Sequence, residues 1–183
     1  MKFFYVLNLL ALSFSLTQKS NEIYWQENNF LTWNDFRGKP NLSSPYKALT
    51  ESGIKIEIKS TGDNADIILQ TYFDKTQSWV KENINPNLLM HEQVHFNIVE
   101  VWARKFRQRL KGKTFSVKTF QQELNNMHRD IFKESKNMQA EYDKETEHSI
   151  NTLAQEKWNK KITNELAALT LFANPSVSCK IVK

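Results

Sequence analysis

His91-Glu92-Gln93-Val94-His95, within the stretch Leu88–Phe96, decides the reading of this chain. In a helix, residues four apart project from one face, one turn from each other. Two imidazoles therefore aim at one point, with Glu92 beside them. The spacing H-E-x-x-H suits two nitrogen ligands for a zinc ion and a carboxylate placed to take a proton from water. The chain has four histidines in 183 residues, so a chance match is on the order of one per cent. That rarity argues against the bland alternative, a helix with two exposed histidines and an ordinary glutamate.

Outward from the motif, the spacing predicts a helix from about Pro86 to Leu110, with proline in its first turn. Leu89, Val94, Ile98, Val99 and Trp102 fall on its core faces, and Gly112 ends the pattern. Upstream, Ile54, Ile56 and Ile58 alternate at the strand period, Thr61-Gly62-Asp63-Asn64 is a turn cluster, and Ile67–Phe73 is expected to pair back as a hairpin. Asn34–Pro40 reads as a turn and Asn41–Tyr46 as a polar loop. Downstream, Thr114 to about Asn159 is nearly free of Gly and Pro and is expected to form two helices; a further one is expected over Ile162–Phe172, before Pro175. Strands first and helices afterwards is the pattern of an α+β domain: a small antiparallel sheet followed by a helical half that carries the motif.

The length suits one domain, and no Ser/Gly/Pro linker divides it. The formal charge is +5, yet Lys and Arg are interleaved with Glu and Asp, as from Lys133 to Lys161. That is the mark of solvated helix faces, and no nucleic-acid partner is expected. Residues 1–19 begin with Met1-Lys2-Phe3 and continue as an apolar run to Leu16, which reads as a secretory signal peptide. The expectation is a mature domain over residues 20–183, secreted or periplasmic, with no stable membrane insertion after signal removal. Cys179 is the single cysteine, so no intramolecular disulfide is possible.

Two histidines leave a catalytic zinc site one ligand short. The spacing H-E-x-x-H-x-x-G-x-x-H is absent, since position 98 is Ile and position 101 is Val. Glu100 is about 140 degrees around the helix from His95, which suits a structural or orienting role. The richer source is Tyr142-Asp143-Lys144-Glu145-Thr146-Glu147-His148-Ser149. Glu145 and His148 would share one helix face and Asp143 and Glu147 another, so His148, Asp143 and Glu145 all stand as third-ligand candidates, with His148 preferred. His128 has no supporting cluster around it.

Here a resemblance becomes specific. Leu88–Phe96 with Glu100, Leu31–Gly38, Ala48–Ile54, Phe73–Val80 with its Ser-Trp-Val end, and Tyr142-Asp143 with Thr146 and His148 resemble, in that order, a family of secreted bacterial proteins. That family is assigned by inference to the zinc-dependent proteases and was formerly classed as a domain of unknown function. Its pattern often has Gly where this chain has Val94, and Gly where it has Ser149. The resemblance implies a zincin-like fold, a Zn2+ cofactor and hydrolysis of a peptide or protein substrate.

The expected mechanism has His91, His95 and His148 on zinc, Glu92 as general base and Tyr142 as a hydrogen-bond donor to the oxyanion. Asp143 and Glu100 would orient imidazoles, and the Ile67–Phe73 strand would pair with substrate by its edge. Two rivals remain: a zinc-stabilised non-catalytic binding module of the cell envelope, and a helical interaction protein without metal.

Overall fold

The alternating isoleucines do form a hairpin, the frame on which the motif helix lies. The computed structural model describes residues 20–82 and 86–183; the signal-peptide expectation for residues 1–19 lies outside them. In chain order the elements are β1 (Glu22–Tyr24), β2 (Ala48–Leu49), β3 (Ser52–Thr61), β4 (Asn64–Asp74), β5 (Trp79–Val80), α1 (Pro86–Leu110), β6 (Thr114–Ser116), α2 (Phe120–Thr146), α3 (Thr152–Ala168) and β7 (Ser176–Val182). Gly62 and Asp63 make the two-residue loop between β3 and β4, and Gly62 takes the positive φ (59°) that such a loop needs at its first position. Along β4, Ala65, Ile67, Leu69, Thr71 and Phe73 are buried while their neighbours are not, so the strand period turns one face inward.

β4 is the central strand. β3 pairs with it from end to end, while β1 and β7 share its other edge, β1 at residues 72–74 and β7 at residues 64–68. This corrects the expected edge role of Ile67–Phe73: both edges of that strand are already occupied, and the outer strand is β3. Two further differences concern the second half. Thr114–Ser116 is a strand, and β7 follows the last helix, pairing parallel with β6 and antiparallel with β4. The mixed α+β class holds, but the sheet is not wholly antiparallel, nor completed before the helices.

α1 is buried almost all round, which explains its apolar residues on more than one face. One side lies on β3, β4 and β7, and the other meets α2 and α3. Ile67, Leu69, Ile98, Phe106, Ile131, Tyr142, Trp158 and Ile162 belong to the main core. A buried ion cluster fixes the helix lengthwise. Glu100 accepts from Arg104 Nε at 3.0 Å, Arg107 Nη1 at 2.9 Å and Thr71 Oγ1 at 2.7 Å. The guanidiniums go on to the carbonyls of Leu166, Leu69 and Phe172. Since an unpaired buried charge is strongly destabilising, this shared set of partners pins α1 to β4 on one side and to the end of α3 on the other. No helix among the described residues is long and apolar enough to cross a membrane.

The N-terminal segment is tied to the motif helix by polar side chains. Gln93 Oε1 accepts from the Leu31 amide at 2.8 Å, and Asn97 Oδ1 accepts from Trp25 Nε1 at 2.9 Å. Gly38 lets this segment cross the turn before β5: a Cβ there would stand 2.8 Å from the carbonyl oxygens of Ser78 and Thr76.

Candidate metal centre

His91 and His95 lie one turn apart on α1, facing α2. Each ring is held at Nδ1 by a glutamine oxygen. His95 Nδ1 donates to Gln139 Oε1, while Gln139 Nε2 donates to the His95 carbonyl at 3.0 Å. A carbonyl only accepts, so this second bond sets which way the amide faces. His91 Nδ1 donates to Gln155 Oε1 at 3.1 Å; the same oxygen accepts from Tyr142 Oη at 2.8 Å, and Gln155 Nε2 donates to Asn159 Oδ1 at 2.8 Å. Both imidazoles are thereby held as Nδ1–H tautomers, with the Nε2 lone pairs pointing forward.

The lone pairs converge. His91 Nε2 and His95 Nε2 are 3.1 Å apart, and Asp143 Oδ1 stands 3.1 Å from the first and 2.9 Å from the second. Three acceptor atoms this close repel one another unless a cation, proton or metal, sits among them. Metal–ligand bonds of about 2.0–2.1 Å at a tetrahedral angle separate donors by about 3.3 Å, so the trio fits a zinc-sized ion after opening by a few tenths of an ångström. His148 Nδ1 is 3.5 Å from Asp143 Oδ1, and His91, Asp143 and His148 offer ligand atoms all within 4.8 Å of one another. The described residues thus contain a His–Asp–His cluster that could hold a metal ion.

The protons follow the same geometry. Burial alone would lower the His95 pKa, but the Asp143 carboxylate, the Glu92 charge and Gln139 outweigh it and leave it raised. Asp143 moves the other way: burial would raise its pKa, and the two imidazoles hold it well below the usual carboxylate range. Tyr142 is pushed far above a normal phenol, first by burial and then by Glu92 and Asp143, so its hydroxyl remains a donor.

Of the residues proposed from sequence, the structure gathers His91, His95, Asp143 and His148, with Glu92 alongside. It does so by a route the helical count did not foresee. α2 ends at Thr146, and Glu147, His148 and Ser149 all have left-handed φ, 50°, 51° and 78°. The Asp143 face looks at the motif, and the turn swings His148 back towards it, against the Tyr46 ring at 4.9 Å between centroids. The φ of Ser149 is one that glycine adopts without strain, which gives a physical reason for the glycine often found there in the resembled pattern.

Other expectations are corrected. Glu145 Oε2 accepts from Trp158 Nε1 at 2.7 Å, bracing α2 against α3, away from the trio. Tyr142 is fully buried, stacked on His91 at 4.5 Å with its hydroxyl on Gln155. It backs the imidazole and does not face the cleft, so the oxyanion role fails on access. Glu100 is committed to its two arginines and Thr71 and orients no imidazole. His128 stacks near Phe106, with 6.3 Å between centroids, at the far end of the cleft.

Glu92 is 4% exposed, and its Oε2 accepts from Thr50 Oγ1 at 2.7 Å. That bond fixes one carboxylate oxygen beside the trio. Glu92, His91, His95, Asp143 and His148 all line one cavity of about 770 Å³. Sequence reasoning passed over Thr50, Gln139 and Gln155. Gln139 carried a signal, lying one turn before Asp143 on the same helix face. Gln155 carried none: its helix runs from Thr152 to Ala168, across the boundary near Asn159 that the sequence suggested between two helices.

Residues 46–149, which include every group of this centre except Gln155, match the family described as bacterial protein of unknown function (DUF922). No curated protein and no solved structure matches the chain. With more than half of its length covered by that match, the chain belongs to the DUF922 family.

Proposed function

We propose that this chain is a zinc-dependent hydrolase of zincin type that cleaves peptide bonds, with Glu92 as general base. The observation that supports it best is the convergence of two Nε2 lone pairs and Asp143 Oδ1, their hydrogens committed elsewhere, beside a carboxylate at the wall of a cavity. A binding module stabilised by metal needs neither an open cavity at its ligands nor a fixed base next to them.

His91, His95 and Asp143 would hold the ion, with His148 as a further donor beside Asp143. Bound there, zinc would supply Lewis acidity, drawing the pKa of a water towards neutrality and polarising a substrate carbonyl. Glu92, held by Thr50, takes the proton of the attacking water and returns it to the departing amine. Gln139 and Gln155 keep the imidazoles in the tautomer that leaves Nε2 free. Tyr142 and Thr146 close off the rear of His91 from water. The reading of residues 1–19 as an export signal would place this chemistry outside the cytoplasm.

Glu92→Gln should keep zinc at wild-type stoichiometry and lose peptide cleavage by about two orders of magnitude or more. Asp143→Ala should weaken zinc binding more than His148→Ala does. Elemental analysis beside cleavage of a mixed peptide library checks both. Undiminished cleavage by purified Glu92→Gln protein would refute the base assignment, and unchanged zinc content in Asp143→Ala would remove that ligand.

A further inference from the structure

The cavity continues past the trio in one direction, along the seam of α1 and α2. His91, His95 and Val99 form one stripe on α1 at four-residue steps. α2 runs antiparallel to it, so Asp143 faces His91, Gln139 faces His95, and residues 131–135 come next. Beyond the last imidazole Ile54 of β3, Val99 of α1, and Ile131 and Phe132 of α2 give the lining an apolar stretch, with Ser135 and His128 beside it. Phe132 is 57% exposed, and Tyr46 and Leu49, also exposed, line the same cavity, Tyr46 against His148. Large apolar side chains left in solvent around one cleft differ from apolar residues scattered over a surface, and mark a place that receives apolar groups. The acidic groups of the cavity, Glu92, Asp143 and Glu147, lie at or next to the trio, whereas Lys136 stands at the apolar end, its Nζ 5.5 Å from the centre of the Phe132 ring.

We propose that this trough is a specificity subsite that takes a large apolar side chain, aromatic or branched aliphatic, from a residue next to the bond being cut. The proposal rests on the hydrolase reading and names the substrate class: extended segments rich in apolar residues. The spacing is right for it. One helical turn from His95 to Val99 is about 6 Å. An extended peptide advances about 3.3 Å per residue, so a carbonyl held at the trio brings the side chain of a residue one or two positions away over Val99 and Ile131. The outer edge of β3 (Ser52, Gly53 and Ile54 line the cavity) runs beside this path. Lys136, beside Phe132, disfavours a basic residue in the same place.

The test uses the full chain loaded with zinc and a set of blocked peptides that differ at one residue, Phe, Leu, Ala, Asp or Lys, flanking a common scissile bond. Cleavage of the Phe and Leu peptides should exceed that of the Ala peptide about tenfold or more, with Lys last. Phe132→Asp, at an exposed position, should erase the apolar preference and improve the Lys peptide. In parallel, the affinity of Glu92→Gln protein for the same peptides is read by fluorescence anisotropy. Apolar preference in binding without cleavage in the wild type would retain the subsite and overturn the hydrolase reading. A flat profile in both assays, or a profile unmoved by Phe132→Asp, overturns the subsite.

Discussion

Gln139→Leu tests what one side-chain amide contributes to the metal centre. In the folded protein the Gln139 amide spans His95, taking Nδ1–H at one end and giving to the backbone carbonyl at the other. Leucine has nearly the same volume and can do neither. Without metal, the freed ring can turn or take up a second proton, so the loss is partly recovered. With metal, Nε2 is committed and Nδ1–H must remain where it is, so the full penalty of an unsatisfied donor, about 1–3 kcal/mol, falls on the loaded state. The His95 side chain is 15% exposed, which admits some water and points to the lower half of that range. The expected result is a zinc Kd weaker by roughly 10–30-fold, equivalent to about 1.4–2.0 kcal/mol, within the range seen for groups that orient metal ligands. Competition against a fluorescent chelator at constant pH reads it, with circular dichroism to establish that the variant is folded. Gln139→Glu, which keeps an acceptor at the same place, should bind zinc at least as tightly as the wild type. A Gln139→Leu Kd within threefold of the wild type would show that the amide does not orient the ring.

Metal-free and zinc-loaded protein should respond to pH in opposite ways. Because the folded His95 pKa lies above its ordinary 6.5, its stabilising contribution is complete below about 6.5 and fades as pH rises through the raised value. Asp143, held low, contributes above its ordinary 3.8 and loses that only as pH falls through the depressed value. Metal-free protein should therefore melt at a lower temperature at pH 8.5 than at pH 5.5, whereas zinc-loaded protein should melt higher at pH 8.5, where protons no longer compete for Nε2. Parallel melting curves in the two forms would refute the assignment. Glu100→Ala leaves two buried guanidiniums without their carboxylate and should cost about 3–5 kcal/mol, or roughly 6–20 °C in Tm for a domain of this size. Its zinc affinity should be unchanged; a weakened site at wild-type stability would restore the orienting role to Glu100.

What could be read from the residues was whatever depends on short-range periodicity. The limits of α1, the β3–β4 hairpin with its Gly62–Asp63 loop, and the pairing of His91 with His95 all follow from spacings of two or four residues. What escaped was set by long-range partners. β7 carries its own alternation, Val177, Cys179 and Ile181, yet nothing local says that it lies between β4 and β6, over a hundred residues from one of them. Asp143 and His148 appeared to compete for opposite faces of one helix because the helix was taken to continue; three left-handed residues let both arrive together. For Glu100 the spacing left a structural and an orienting role open; Arg104 and Arg107 lie four and seven residues on, but Thr71, 29 residues upstream, and the burial that settles the structural role are long-range.

The order of pairing along the chain bears on how this molecule comes together. Asn64 of β4 meets Lys180 of β7, 116 positions on, whereas His91 and Asp143 are 52 positions apart. Closing the longer segment costs about 0.7 kcal/mol more in chain entropy than closing the shorter one. A divalent ion captured between α1 and α2 would therefore shorten the chain left to be searched before β7 finds its slot. Added zinc should speed refolding as well as raise the melting temperature, so that a cation at this centre would act as a template before the fold is complete.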